Sequence, residues 1–134
     1  MTSSRRIAHV AVLVHDYDQA IDYYTQVLGF TLIEDSDRGE GRRWVLVAPT
    51  ADNAMQLLLA RASTPAQLER VGDQTGGRVF LFLHTDDFDR DHRRFLAGGV
   101  RFLEAPRVES YGTVAVFEDL YGNRWDLLQL SGAS

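Results

Sequence analysis

Residues 111–129 read YGTVAVFEDLYGNRWDLLQ. Gly112 to Glu118 (GTVAVFE) and Arg124 to Leu130 (RWDLLQL) are short apolar runs of strand length. Moved back by 70 positions, the second run falls on Ala54 to Ala60 (AMQLLLA), and Asn123, Leu127 and Leu128 land on Asn53, Leu57 and Leu58. The same shift pairs Gly99 with Gly29 and Glu104 with Glu34; a shift of 71 pairs Asp87 with Asp16, Asp89 with Asp18 and Phe95 with Tyr24. Identities alone would be weak, but they accompany a repeated order of elements, which identifies a tandem pseudo-repeat.

In the first half, Ile7 to Val14 (IAHVAVLV) reads as a buried strand. Asp16 offers a helix N-cap and Asp18 an acidic first turn; Ala20, Ile21, Tyr24, Val27 and Leu28 keep helical spacing until Gly29 stops it. Phe30 to Glu34 is expected as a strand followed by a polar loop through Gly41, and Arg43 to Ala48 and Ala54 to Ala60 as two more strands joined by residues 49–53. Residues 61–77 form a linker in which Thr64-Pro65 starts a short helix that Gly72 and Gly76-Gly77 end. The pattern then repeats: strand Arg78 to Thr85, a helix opened by Asp87 and closed at Gly98-Gly99, and strands at Val100 to Leu103, Gly112 to Glu118 and Arg124 to Leu130. The expectation is an α+β chain forming a single domain over residues 1–134, built from two tandem βαβββ modules (7–60 and 78–130, linked by 61–77) whose curved mixed sheet surrounds a cleft.

Composition bounds the function. The 134 residues contain no cysteine, and 14 basic against 19 acidic side chains give a net charge of −5. One domain fits that length, and the 45% apolar fraction excludes wholesale disorder. Without cysteine there is no disulfide, no thiolate nucleophile and no thiolate metal site. The acidic balance argues against nucleic acid and for a small-molecule ligand, and would suit a cationic one. No run approaches the roughly twenty apolar residues of a membrane span, and the polar start Met1 to Arg6 does not read as a signal peptide, so a cytoplasmic protein is expected.

Polar residues inside apolar strands mark the candidate site, because each needs a partner there. In the repeat His9 matches Phe80 on the first strands, and Gln56 matches Asp126 on the last. Arg124 and Leu128 share the face of Asp126, and Phe82 and His84 share that of Phe80. His84 reads either as an acid or base at the cleft mouth or as a solvated strand end beside Asp86; Glu118 reads either as a proton acceptor or as an arginine's partner. Phe80, Phe82, Phe117 and Trp125 are either an aromatic cleft lining or plain core. The Asp16-Tyr-Asp18 and Asp87-Phe-Asp89 pairs lack the glycine and glutamate of a calcium loop and are explained by capping.

The tandem order, the opening RIAHVAV, the segment DYDQAIDYYTQVLGF and the ending YGTVAVFEDLYGNRWDLLQ together resemble the vicinal oxygen chelate superfamily of glyoxalases, bleomycin-resistance proteins and extradiol dioxygenases, over residues 7–129. The resemblance implies a divalent metal (Fe, Mn, Ni, Co or Zn) at His9, Gln56 and Asp126, with Phe80 in the place of a usual second histidine and Asp126 one methylene shorter than the usual glutamate. It implies a metal acting as Lewis acid in a lyase, isomerase or dioxygenase; of the residues read above, Glu118 and His84 are then the candidate proton carriers and Phe80, Phe82, Phe117 and Arg124 the candidate substrate contacts. The alternative it implies is a metal-free, drug-sequestering cleft. Either form is expected as a homodimer that completes its clefts with the partner.

Overall fold

The computed structural model describes residues 3–52 and 55–132. Asn53, matched above to Asn123, and Ala54, the expected start of a strand, lie outside the described residues. The chain runs β1 (His9–Val14), α1 (Tyr17–Asp22) continued by a π-helical turn (Tyr23–Val27), β2 (Thr31–Gly39), β3 (Arg42–Ala48), β4 (Gln56–Arg61), α2 (Pro65–Arg70), β5 (Val79–His84), α3 (Phe88–Ala97), β6 (Arg101–Phe102), β7 (Arg107–Glu109), β8 (Gly112–Glu118) and β9 (Arg124–Leu130). Two sheets result. The first has the order β1-β4-β3-β2 and the second β5-β9-β8-β6, with β7 also on β8. In each, the first and last strands pair in parallel and the others antiparallel, the signature of tandem βαβββ modules in an α+β fold.

The helix starts are built as read. Asp16 accepts from the Gln19 N–H at 2.7 Å, Asp87 from the Arg90 N–H at 3.1 Å and Thr64 from the Gln67 N–H at 3.1 Å, each satisfying an amide the first turn leaves orphaned. Gly29 ends the first helical segment at φ +74°, where a side chain would be strained.

Alternation along the strands sends Val12 and Val14, Val45 and Val47, and Leu57 and Leu59 to the helix-covered side of the first sheet, and Ala115, Phe117, Trp125 and Leu127 to that of the second. These residues share one core with Tyr24, Phe30, Phe88 and Phe95. Across it, Trp125 packs 6.1 Å from Tyr24 and 5.9 Å from Phe30 between ring centroids. Neither sheet could bury its apolar side alone, so the two halves stabilise each other.

Asp119, in the β8–β9 turn, ties this core together. Its carboxylate, only 5% exposed, accepts from the Tyr24 hydroxyl at 2.8 Å, the Trp125 Nε1–H at 3.2 Å and the amides of Tyr121, Gly122 and Asn123. Gln74 joins the halves at the free edge of β1, accepting from the Leu13 N–H at 2.8 Å and donating to the Ala11 carbonyl at 3.3 Å.

Two sequence readings need correction. The polar stretch after Glu34 is not a loop: β2 continues to Gly39, because Asp35, Ser36 and Asp37 pair with Val45, Trp44 and Arg43, and Asp35 takes two hydrogen bonds from the Arg43 guanidinium at 3.1 and 2.7 Å. The matching region of the second half holds two short strands, β6 and β7, where one at Val100 to Leu103 was expected. Pro106 lies between them, and it has no amide to give the ladder. The Glu104 side chain fills the gap, accepting from the Val116 N–H at 3.0 Å.

Candidate functional site

Each sheet has a second face, turned away from its helix. On the first sheet this face carries His9, Ala11, Trp44, Leu58 and Ala60, with His9 and Ala11 exposed. His9 and Gln56 are Cα partners across β1–β4. The imidazole of His9 meets the Trp44 indole edge-on, 6.0 Å between centroids.

On the second sheet, Asp126 stands between Val116 on β8 and Phe82 on β5. His9 lies opposite Gln56, but the residue opposite Asp126 is Phe82, not Phe80, because the β5–β9 register shifts between Val79 and Leu81. Phe80 packs against the common core, while Phe82 is 61% exposed. Burial pushes the Asp126 carboxyl above its ordinary value, against the pull of Arg107 and with Glu104 adding to the push.

The other sequence-derived candidates are dispersed. Phe117 is fully buried in the core, 5.8 Å from the Trp125 ring and nearly parallel to it, so of its two readings packing is where its ring is used. Glu118 is the Cα partner of Arg124 and of Arg101, and with Arg124 it lines a polar hollow beside the linker. The Arg124 guanidinium donates to the Gly77 carbonyl at 3.0 Å. His84 ends β5 exposed, beside Thr85, Asp86 and Arg90 in a hollow next to the start of α3.

The candidate metal donors are one imidazole, one amide and one carboxylate; the first two sit on one sheet and the third on the other, next to a phenyl ring that cannot coordinate. Among the described residues no three His, Asp or Glu side chains gather as a metal cage. Within this chain the donor set does not fit a divalent metal.

A feature that the sequence reading missed lies on the first sheet. A hollow of about 410 Å³ at the end of this sheet is walled by Trp44, Leu58, Leu59 and Ala60 with Tyr17 of α1, and rimmed by Arg38, Arg42, Arg43 and Arg61. The aromatic rings are faced by guanidiniums: Arg38 lies 5.7 Å over Trp44, and Arg43 and Arg61 lie 5.1 and 5.3 Å over Tyr17. Arg43 is further held by Asp18 at 2.9 Å and Asp35 at 2.7 Å, and these hydrogen-bonded carboxylates, Asp35 first, raise the guanidinium above its ordinary value. The signal was available in strand alternation, which places Trp44 on the face of Leu46, Leu58 and Ala60. It was hidden because the arginines come from separate stretches, Arg38 from one that reads as a loop, Arg42 and Arg43 from the start of β3 and Arg61 from the end of β4.

Comparisons with known proteins agree with this architecture. The model of the Glyoxalase/Bleomycin resistance protein/Dioxygenase superfamily matches residues 6–127. An uncharacterized protein of Shewanella frigidimarina (strain NCIMB 400) is 57% identical over 126 residues, covering 93% of each chain. The crystal structure of UcmS2 superposes with a TM-score of 0.81 at 28% identity, over 94% of this chain and 98% of that one. That of TnmS3, described as an antibiotic binding protein from Streptomyces sp. CB03234, does so with a TM-score of 0.79 at 30% identity, over 98% and 100%. The chain belongs to the Glyoxalase/Bleomycin resistance protein/Dioxygenase superfamily.

Proposed function

We propose that this protein binds an aromatic small molecule in the arginine-rimmed hollow at the end of its first sheet and holds it without metal-assisted turnover. The observation that carries this reading is the hollow walled by Trp44, Leu58 and Ala60, on the same face as a His9–Gln56 pair that lacks the further donors of a metal site. Concave, largely apolar sites with a few polar groups are where small ligands bind. The guanidiniums at the rim and Ser63 supply those polar groups. The likeness to TnmS3, an antibiotic binding protein, supports binding over catalysis.

The protein acts as a homodimer in this proposal. Phe82 stands exposed on the second sheet beside Asp126, and a second copy placing that face over the hollow would bury Phe82 and close the ligand in.

A thermal-shift screen with bulky aromatic drugs tests the reading. A true ligand at a hundred times its Kd stabilises the native state by about 2.7 kcal/mol, and Trp44→Ala removes that shift. The outcome that overturns it is tight, stoichiometric Fe, Mn, Ni, Co or Zn that is lost in His9→Ala and Asp126→Ala and is needed for ligand binding. Sedimentation of wild type against Phe82→Asp reads the dimer; a wild-type monomer ends that part of the proposal.

A further inference from the structure

The net charge of −5 suggests a cationic ligand, but the hollow on the first sheet is charged the other way. Four guanidiniums line it, and among the described residues no carboxylate does. The acidic partners reach these arginines from other residues: Asp18 and Asp35 hold Arg43, Glu34 lies 3.6 Å from Arg38, and Glu40 lies 3.9 Å from Arg42 in an exposed pair. Arg61 differs. Among the described residues no ion pair engages it, and its guanidinium is instead held over the Tyr17 ring, 5.3 Å from the centroid. A planar guanidinium fixed on an aromatic face keeps its donors in a fork suited to a carboxylate.

We infer that the hollow selects an aromatic molecule bearing an anionic group, its ring on Trp44, Leu58 and Ala60 and its carboxylate on Arg61. This rests on the binding reading above and narrows the ligand class within it. A cationic ligand of the same shape would meet like charge at the rim. The exposed Arg42–Glu40 pair costs little to rearrange, since surface pairs of this kind contribute little, so Arg42 is available as a second donor.

The experiment uses three probes of one shape and different charge: 2-naphthoate, 2-naphthylmethanol and 2-naphthylmethylammonium, titrated into the full-length protein and followed by amide chemical shifts. The expected order is carboxylate tighter than alcohol by tenfold or more, with the ammonium weakest. Arg61→Ala brings the carboxylate-to-alcohol ratio to within twofold. Arg61→Lys restores part of the preference, and added salt shrinks it. Arg93→Ala, which removes an exposed charge from α3, leaves the ratio as in wild type. Equal binding of carboxylate and alcohol, tighter binding of the ammonium, or a ratio unmoved by Arg61→Ala overturns the charge inference and leaves the binding reading standing. If none of the three binds, or if Trp44→Ala binds them as wild type does, the inference falls together with the reading beneath it.

Discussion

The two halves of the molecule share one order of elements and use it differently. In the first, β2 runs nine residues and pairs along its length with β3, so the hairpin projects Arg38, Arg42, Arg43 and Trp44 around a hollow. In the second, Pro106 separates a two-residue β6 from a three-residue β7, and the Glu104 carboxylate turns inward to the Val116 amide. The second half contributes structure in exchange. Its β8–β9 turn places Asp119 beneath Tyr24 of the first half, and its linker sets Gly72 against the Tyr121 carbonyl, where any Cβ would come within 1.8 Å. One module presents the arginine-rimmed hollow, and the other supplies the tie that holds both in one core.

The sharpest way to break this division is Asp119→Ala. It leaves the Tyr24 hydroxyl, the Trp125 Nε1–H and the amides of the turn without their acceptor in the core. The expected loss is about 3–5 kcal/mol or more, read by urea denaturation, because several buried donors are left unsatisfied at once. A loss below about 1 kcal/mol would show that the halves hold together without it. Second in size is Glu104→Ala, which strips the acceptor from the part-buried Val116 N–H and is expected to cost about 1–3 kcal/mol. Glu104→Gln, which keeps an acceptor while dropping the Arg107 ion pair, should cost less, and the reverse order would mean that the ion pair matters more.

Trp44→Ala inverts that pattern. On a half-buried residue of the open face it should change stability by less than about 2 kcal/mol while abolishing the ligand-induced thermal shift. Equal damage to folding and binding would place Trp44 in the core.

The smallest expected effects are the acid responses, and they have opposite signs. The Arg43 hydrogen bonds hold the Asp35 carboxyl below its ordinary value of 3.8. Its contribution is therefore present above 3.8 and lost as pH falls through the depressed value. Asp35 is largely open to solvent, which keeps the size small. Asp126, raised above 3.8 by burial, costs stability once ionised, so its share improves as pH falls through the raised value. Comparing Asp35→Asn and Asp126→Asn with wild type by thermal melts from pH 3 to 7 checks both. At pH 7 the first is expected to melt lower and the second slightly higher; two shifts of the same sign would refute the contrast.

Much of the fold was legible in residue order. Strands β8 and β9 begin and end where the apolar runs do, and the caps Asp16, Thr64 and Asp87 were visible because local chemistry decides them. The site was less legible. The polar composition of residues 35–39 hides a strand whose stability comes from its ladder to β3, and pairing between residues is not written in the composition of either. That Phe82 stands opposite Asp126 while Phe80 packs on the core has the same origin, since a register shift is a property of two strands together.

By itself, then, the sequence determined the repeat, the α+β class and the presence of His9, Gln56 and Asp126 as polar residues in apolar strands, because periodicity and capping act over a few neighbouring residues. Only the tertiary structure decided that Phe117 is core, that the candidate metal donors are split between two sheets, and that four arginines converge beside Trp44. Those outcomes depend on which face each strand turns to its neighbours and on the register in which distant segments meet, and both are settled by packing the two halves on one core.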